Sequence, residues 1–146
     1  MKFINKVEKS GEKFRLQIPK KSSIFAPFFW ISIHIDMILD FPNLPMESFP
    51  KFKGGEKELS AQMYFDGVNR ILHGILVPGA SIGMHQHVTD CEVLFIVAGH
   101  GTIIEDGVSS PVHLGQCVYC PKGHTHSLIN SSEEQDLEFY AVVPQQ

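Results

Sequence analysis

From Leu59 to the C-terminal end, turn residues cut the chain into short β-rich runs at nearly even spacing, and nothing else restricts the fold as strongly. The runs lie at 60–66, 69–77, 92–98, 101–105, 108–113, 116–120, 125–129 and 137–143. Asp66-Gly67, Pro78-Gly79, Gly99, Asp106-Gly107, Pro121 with Gly123, and Asn130-Ser131-Ser132 separate them. Asp106-Gly107 between two alternating runs marks a hairpin, because a type I′ turn needs positive φ at both central residues. Many short strands with turns between them predict an all-β sandwich or small barrel. At 146 residues the chain has room for one core and not for two full domains.

The part before Leu59 reads differently. Phe14–Ile18 and Ile31–Asp36 alternate apolar and polar residues and predict strands. Pro42, Pro45, Pro50, Gly54 and Gly55 predict a loop or irregular linker over Phe41–Gly55. Charge changes as well. Residues 1–36 hold seven basic and three acidic side chains (+4), and residues 37–146 hold five and thirteen (−8), within an overall −4. An acidic body argues against a nucleic-acid surface, which needs clustered Lys and Arg. The basic leader reads as a solvated tail. Met37 stands where the charge balance changes, so it is a candidate start, with residues 1–40 an N-terminal extension and 41–146 the domain proper.

Other compositional features narrow the setting. The longest apolar stretch, Ile24–Ile33, is broken by Pro27 and is too short to span a bilayer. It also lacks the placement of a signal peptide. Three cysteines, Cys91, Cys117 and Cys120, make no disulfide framework and suit a reducing compartment. The expectation is a cytoplasmic protein with no membrane or nucleic-acid partner.

The chemistry is concentrated between Gly79 and Asn130. His85-Gln86-His87 places two imidazoles on one face of an extended segment, where both reach a single ion. Glu92 opens a run of apolar strand residues, and a carboxylate buried there needs a partner. His126, on a later strand, is able to complete the site from across the barrel. An H-x-H pair by itself is weak. Its setting is not: Gly79, His85, His87, Glu92 and Gly99, followed by Gly115, Pro121, Gly123, His126 and Asn130, resemble the two signature motifs of the cupin superfamily, over 79–99 and 115–130.

The resemblance covers about residues 56–146. It implies a cupin double-stranded β-helix, or jelly-roll barrel, of six to eight strands with an N-terminal extension. It also implies one divalent metal ion (Mn, Fe, Ni, Cu or Zn) on His85, His87, Glu92 and His126. Gly79 and Gly99 fit tight turns or close backbone approach, Pro121 and Gly123 shape the bend that delivers His126, and Asn130 serves local backbone hydrogen bonding.

Three histidines and one glutamate leave coordination positions open on such an ion. The leading expectation is therefore a metal-dependent enzyme acting on a small polar molecule inside the barrel, with oxygenase, decarboxylase, isomerase and lyase chemistry all open. The alternative is a non-catalytic small-molecule or metal-binding cupin module. Glu92 is a candidate proton shuttle, and His124, two residues before His126, a candidate proton donor. No second carboxylate, arginine cluster or lysine is evident beside the motifs to name a substrate.

The remaining residues have plainer readings. Cys117 and Cys120 form a C-x-x-C string, yet three residues apart on a strand they face opposite ways, and Cys91 faces away from the metal. His73 and Tyr64 line the cavity or fill the barrel, and Phe95 and Phe139 belong to the core. His34, His100 and His113 have no assigned role. A homodimer formed through edge strands, covered by the strand-like parts of 12–36, is expected.

Overall fold

The computed structural model describes residues 38–146. The expected strands at 14–18 and 31–36, the extension, the candidate start at Met37 and His34 lie outside these residues. Among the described residues, ten antiparallel strands follow in chain order: β1 (Met46–Pro50), β2 (Glu58–Phe65), β3 (Arg70–Leu76), β4 (Ser81–Gln86), β5 (Glu92–Ala98), β6 (His100–Glu105), β7 (Val108–His113), β8 (Cys117–Cys120), β9 (Thr125–Ile129) and β10 (Leu137–Val143). They form a six-stranded sheet, β1-β2-β3-β10-β5-β8, and a four-stranded sheet, β4-β9-β6-β7. The fold is all-β and cupin-like, with more strands than the expected six to eight.

Alternation decides which side chains meet between the sheets. Leu72, Gly74 and Leu76 of β3, Leu94 and Ile96 of β5, and Leu137, Phe139 and Ala141 of β10 point inward and are buried. Ile82, Ile103 and Leu128 meet them from the other sheet. Each large apolar side chain so buried contributes about 1.5–3 kcal/mol. The Phe139 ring lies directly over Gly74, where any Cβ would collide with it.

Three expectations need correction. The stretch 41–55, predicted as loop or linker, contains β1 between 3-10 turns at Phe41–Asn43 and Phe52–Gly54. Its prolines misled: β1 is the outermost strand of its sheet, where Pro50 costs no ladder bond. Phe95 is 46% exposed rather than core, because it has the opposite parity to buried Leu94 and Ile96. His73 and Tyr64 point outward as well. His73 stacks on Tyr140 and shares polar contacts with Gln62 and Glu138, and Tyr64 is exposed.

Other details follow the sequence. Asp106 and Gly107 have φ of 46° and 83°, as a type I′ hairpin requires. Gly99 has φ of 75°, and a Cβ there would strike the Asp136 carbonyl. Cys117 is exposed and Cys120 buried, on opposite faces of β8. Among the described residues no helix is long and apolar enough to cross a membrane.

Candidate metal centre

The four residues separated in sequence come together at one end of the barrel. β4 and β9 pair so that His85 lies opposite His126. The β4 register slips by one residue between Ile82 and His85, a bulge that turns His85 to the same inner side as Ile82. Gly83 lies in that bulge and packs against the backbone of Lys53–Gly55, leaving no room for a side chain. His87 follows two residues later, and Glu92 enters from the first position of β5 in the other sheet.

One ligand atom from each of His85, His87, Glu92 and His126 lies within 4.8 Å of the others. His126 Nε2 is 3.0 Å from His87 Nε2, 3.3 Å from His85 Nε2 and 2.8 Å from Glu92 Oε2. His87 Nε2 is 3.3 Å from the same carboxylate oxygen. Donors about 2.1 Å from a shared ion and at right angles to each other stand about 3.0 Å apart, so these spacings suit a coordination sphere.

Tautomers sharpen this. His85 Nδ1 lies 2.9 Å from the Gly83 carbonyl, which only accepts, so Nδ1 carries the hydrogen and Nε2 presents a lone pair. His87 Nδ1 lies 2.6 Å from Asp90 Oδ1, a carboxylate, with the same consequence. Such outer partners commonly fix metal-ligating histidines. With both rings neutral, two lone pairs and an anionic oxygen face one point beside His126 Nε2; in protonated His87, which Glu92 and Asp90 favour, a proton on Nε2 stands where the ion would. A cation resolves that crowding, and the donor set fits a divalent ion. His126 Nδ1 is buried and has no hydrogen-bond partner among the described residues.

Protonation follows the same geometry. Burial works to raise the Glu92 carboxyl, but hydrogen bonds from His126 and His87 outweigh it and bring it from 4.5 to about 2. Glu92 is thus an anion at any ordinary pH. His85 is held below the usual histidine range, chiefly by burial. His87 is raised, first by its bond to Glu92 and, against burial, by Asp90. Metal binding displaces the proton that this carboxylate–imidazole group otherwise shares.

A cavity of about 90 Å³, open to solvent at its mouth, adjoins the group and is lined in part by His85, His87 and Glu92. His126, 2% exposed, sits behind them. Arg70, Lys53 and a second carboxylate, Asp90, also line this cavity, which corrects the reading that no lysine or second carboxylate is evident to name a substrate. Strand parity was the sign that would have found Arg70: it shares the inward face of β3 with Leu72 and Leu76.

His124 does not join the group. Its Nδ1 lies 2.6 Å from Asp106 Oδ2, with both side chains about half exposed. Cys120 lies opposite Glu92 in register, but burial first, then nearby carboxylates, push its thiol up to about 11 and keep it protonated. Cys91 is buried beside Pro144 and Gln146, outside the cavity lining.

The Cupin domain family model matches residues 72–143, a span that contains all four clustered residues. The chain carries a cupin domain. It is 27% identical over 113 residues to the "Oxalate-binding protein" of Thermotoga maritima, across 73% of this chain and 93% of that protein. A crystal structure of a predicted oxalate decarboxylase from Thermotoga maritima superposes with a TM-score of 0.71 at 26% identity, over 75% of this chain and all of that one. A cupin 2 conserved barrel domain protein from Salinispora arenicola gives 0.53 at 26% identity, over 74% of this chain and 86% of that one. Cupin architecture and the four-residue group thus go together here.

Proposed function

We propose that this chain is a metal-dependent cupin enzyme that acts on a small carboxylate bound in the cavity beside His85, His87 and Glu92. The convergence of three imidazole nitrogens and one carboxylate oxygen on a solvent-connected cavity carries this reading. The names of the Thermotoga maritima relatives point to oxalate as the first probe. In the proposed site His85, His87, Glu92 and His126 hold one divalent ion, which supplies Lewis acidity toward an oxygen ligand. Asp90 and the Gly83 carbonyl keep two of the imidazoles in the tautomer that presents Nε2. Glu92, which also lines the cavity, is the residue placed to take a proton there when it detaches from the ion.

A second reading, binding without turnover, is favoured by one observation. His124, the other candidate for proton transfer, is tied to Asp106 outside the cavity lining. Metal analysis of protein purified without added metal, followed by incubation with oxalate, tests both. One divalent ion per chain and consumption of oxalate are expected. Bound oxalate recovered unchanged would leave the binding module. A chain that takes up no divalent ion, or a metal-loaded chain with no affinity for oxalate, would overturn the proposal.

A further inference from the structure

The charged groups of the cavity fall into two sets. The acidic set is committed: Asp90 to His87, and Glu92 to His87 and His126. The basic set is not. Neither Arg70 nor Lys53 forms an ion pair among the described residues, and Arg70 Nε is buried without a hydrogen-bond partner. A buried guanidinium N–H left unbonded is costly, and folded proteins retain such a group where something else satisfies it.

Arg70 is also held in place. It is the first residue of β3, paired with Phe65 on β2 and Val143 on β10. Its guanidinium carbon lies 5.5 Å from the Phe65 ring centroid, within cation–π range. Lys53 stands in the wall formed by residues 51–57 with φ of 56°, a left-handed conformation uncommon for lysine. The loop is fastened to β4 where Gly83 packs against the Lys53–Gly55 backbone and Ser81 and Glu56 share hydrogen bonds. Two cations that meet aromatic rings, and no carboxylate among the described residues, thus share one cavity with a group of oxygen- and nitrogen-donor ligands.

We infer that the cavity selects a small dianion, one anionic group seated at the His85–His87–Glu92–His126 group and the other held by the Arg70 fork. This rests on the proposed function, which requires only that a carboxylate bind at the metal. Arg70 is here a specificity-determining residue: it reads the second charge. Lys53 adds to the field at the mouth, and its ammonium lacks the two-pronged geometry that matches a carboxylate.

The test uses metal-loaded full-length protein and three matched probe pairs: oxalate with oxamate, malonate with malonamate, and succinate with succinamate. Each pair keeps the shape and removes one charge. Calorimetry at fixed ionic strength is expected to show at least one dianion bound about tenfold or more tighter than its monoamide. In Arg70→Gln, with metal content and melting temperature unchanged, that dianion weakens about tenfold or more and the monoamide less than about threefold. Should Arg70→Gln not fold, Arg70→Lys, which keeps the charge without the fork, is expected to lose at least about threefold on the dianion alone. Equal binding of both members of every pair, or equal weakening of both in the variants, would overturn the inference and leave the proposed function standing. Wild-type protein that holds metal but binds none of the six would overturn both.

Discussion

Two buried polar residues at the two ends of β9 have opposite surroundings. His126 and Asn130 are 2% and 1% exposed, so burial does not distinguish them. Asn130, just past the strand, is saturated. Its Nδ2 donates to the Leu76 and Gln135 carbonyls at 2.7 and 2.8 Å, and its Oδ1 accepts from the Ser132 N–H at 2.9 Å. His126 has an unpartnered Nδ1, and its Nε2 shares one point with two other imidazole nitrogens and a carboxylate. One end of the strand closes the fold; the other is built for something to be added. Saturation of hydrogen bonds, rather than burial, separates the structural residue from the functional one.

The comparison is broken most directly by removing the ligand. A four-ligand protein site contributes on the order of 10–16 kcal/mol, so His126→Ala is expected to weaken divalent-metal affinity roughly a thousandfold. The rise in melting temperature that metal gives the parent protein should disappear with it. Metal titration followed by fluorescence or calorimetry measures the first, and thermal melts with and without metal the second. A variant that kept parental affinity would show that His126 is not a ligand.

The other end should behave in the opposite way. Asn130→Ala strips partners from two carbonyls and one N–H, and each buried group left unpaired costs about 1–3 kcal/mol, relieved in part by local relaxation. A net loss of about 2–3 kcal/mol is expected in urea denaturation of metal-free protein. The metal affinity of the folded fraction should stay within about twofold. If Asn130→Ala weakened metal binding as much as His126→Ala, the two ends would not be separate in role.

How far the sequence carried this picture depends on what kind of feature is asked about. The eight runs after Leu59 became β2, β3 and β5–β10, because alternation and turn residues are local properties. The gathering of His85, His87, Glu92 and His126 was legible through motif spacing, and so was the bonding of Asn130 to local backbone at Ser132 and Gln135, though not its bond to Leu76. β4 was not visible as a regular strand, since its bulge breaks the alternation just where His85 is re-aimed. The bulge depends on Gly83 meeting the 51–57 loop, a contact between segments far apart in the chain. Arg70 was missed for a related reason: its parity placed it inward, but only the assembled barrel shows that the inward end of β3 opens on the metal cavity.

The smallest effect concerns Asp106, a third polar site that is saturated yet exposed. Its carboxylate accepts from the Thr125 N–H at 2.9 Å and Thr125 Oγ1 at 3.0 Å, and pairs with His124 at 2.6 Å. It thereby ties the β6–β7 hairpin to the start of β9, one residue before His126. The Thr125 N–H first, then His124, hold its carboxyl at about 2 instead of 3.8. A carboxyl lowered by folding stabilises the native state at pH above its unfolded value, and that contribution fades as pH falls through the folded one. Asp106→Asn tolerates the positive φ of this turn position and keeps one acceptor, but it has nothing to titrate. Metal-free parent protein should therefore be slightly more stable than the variant at pH 6, with the gap closing between about pH 4 and 2 as the carboxyl protonates. Urea midpoints at several pH values read this directly. Parallel curves would mean that the Asp106 tether holds without its charge, and that the metal-binding end of β9 depends on its ligands alone for pH sensitivity.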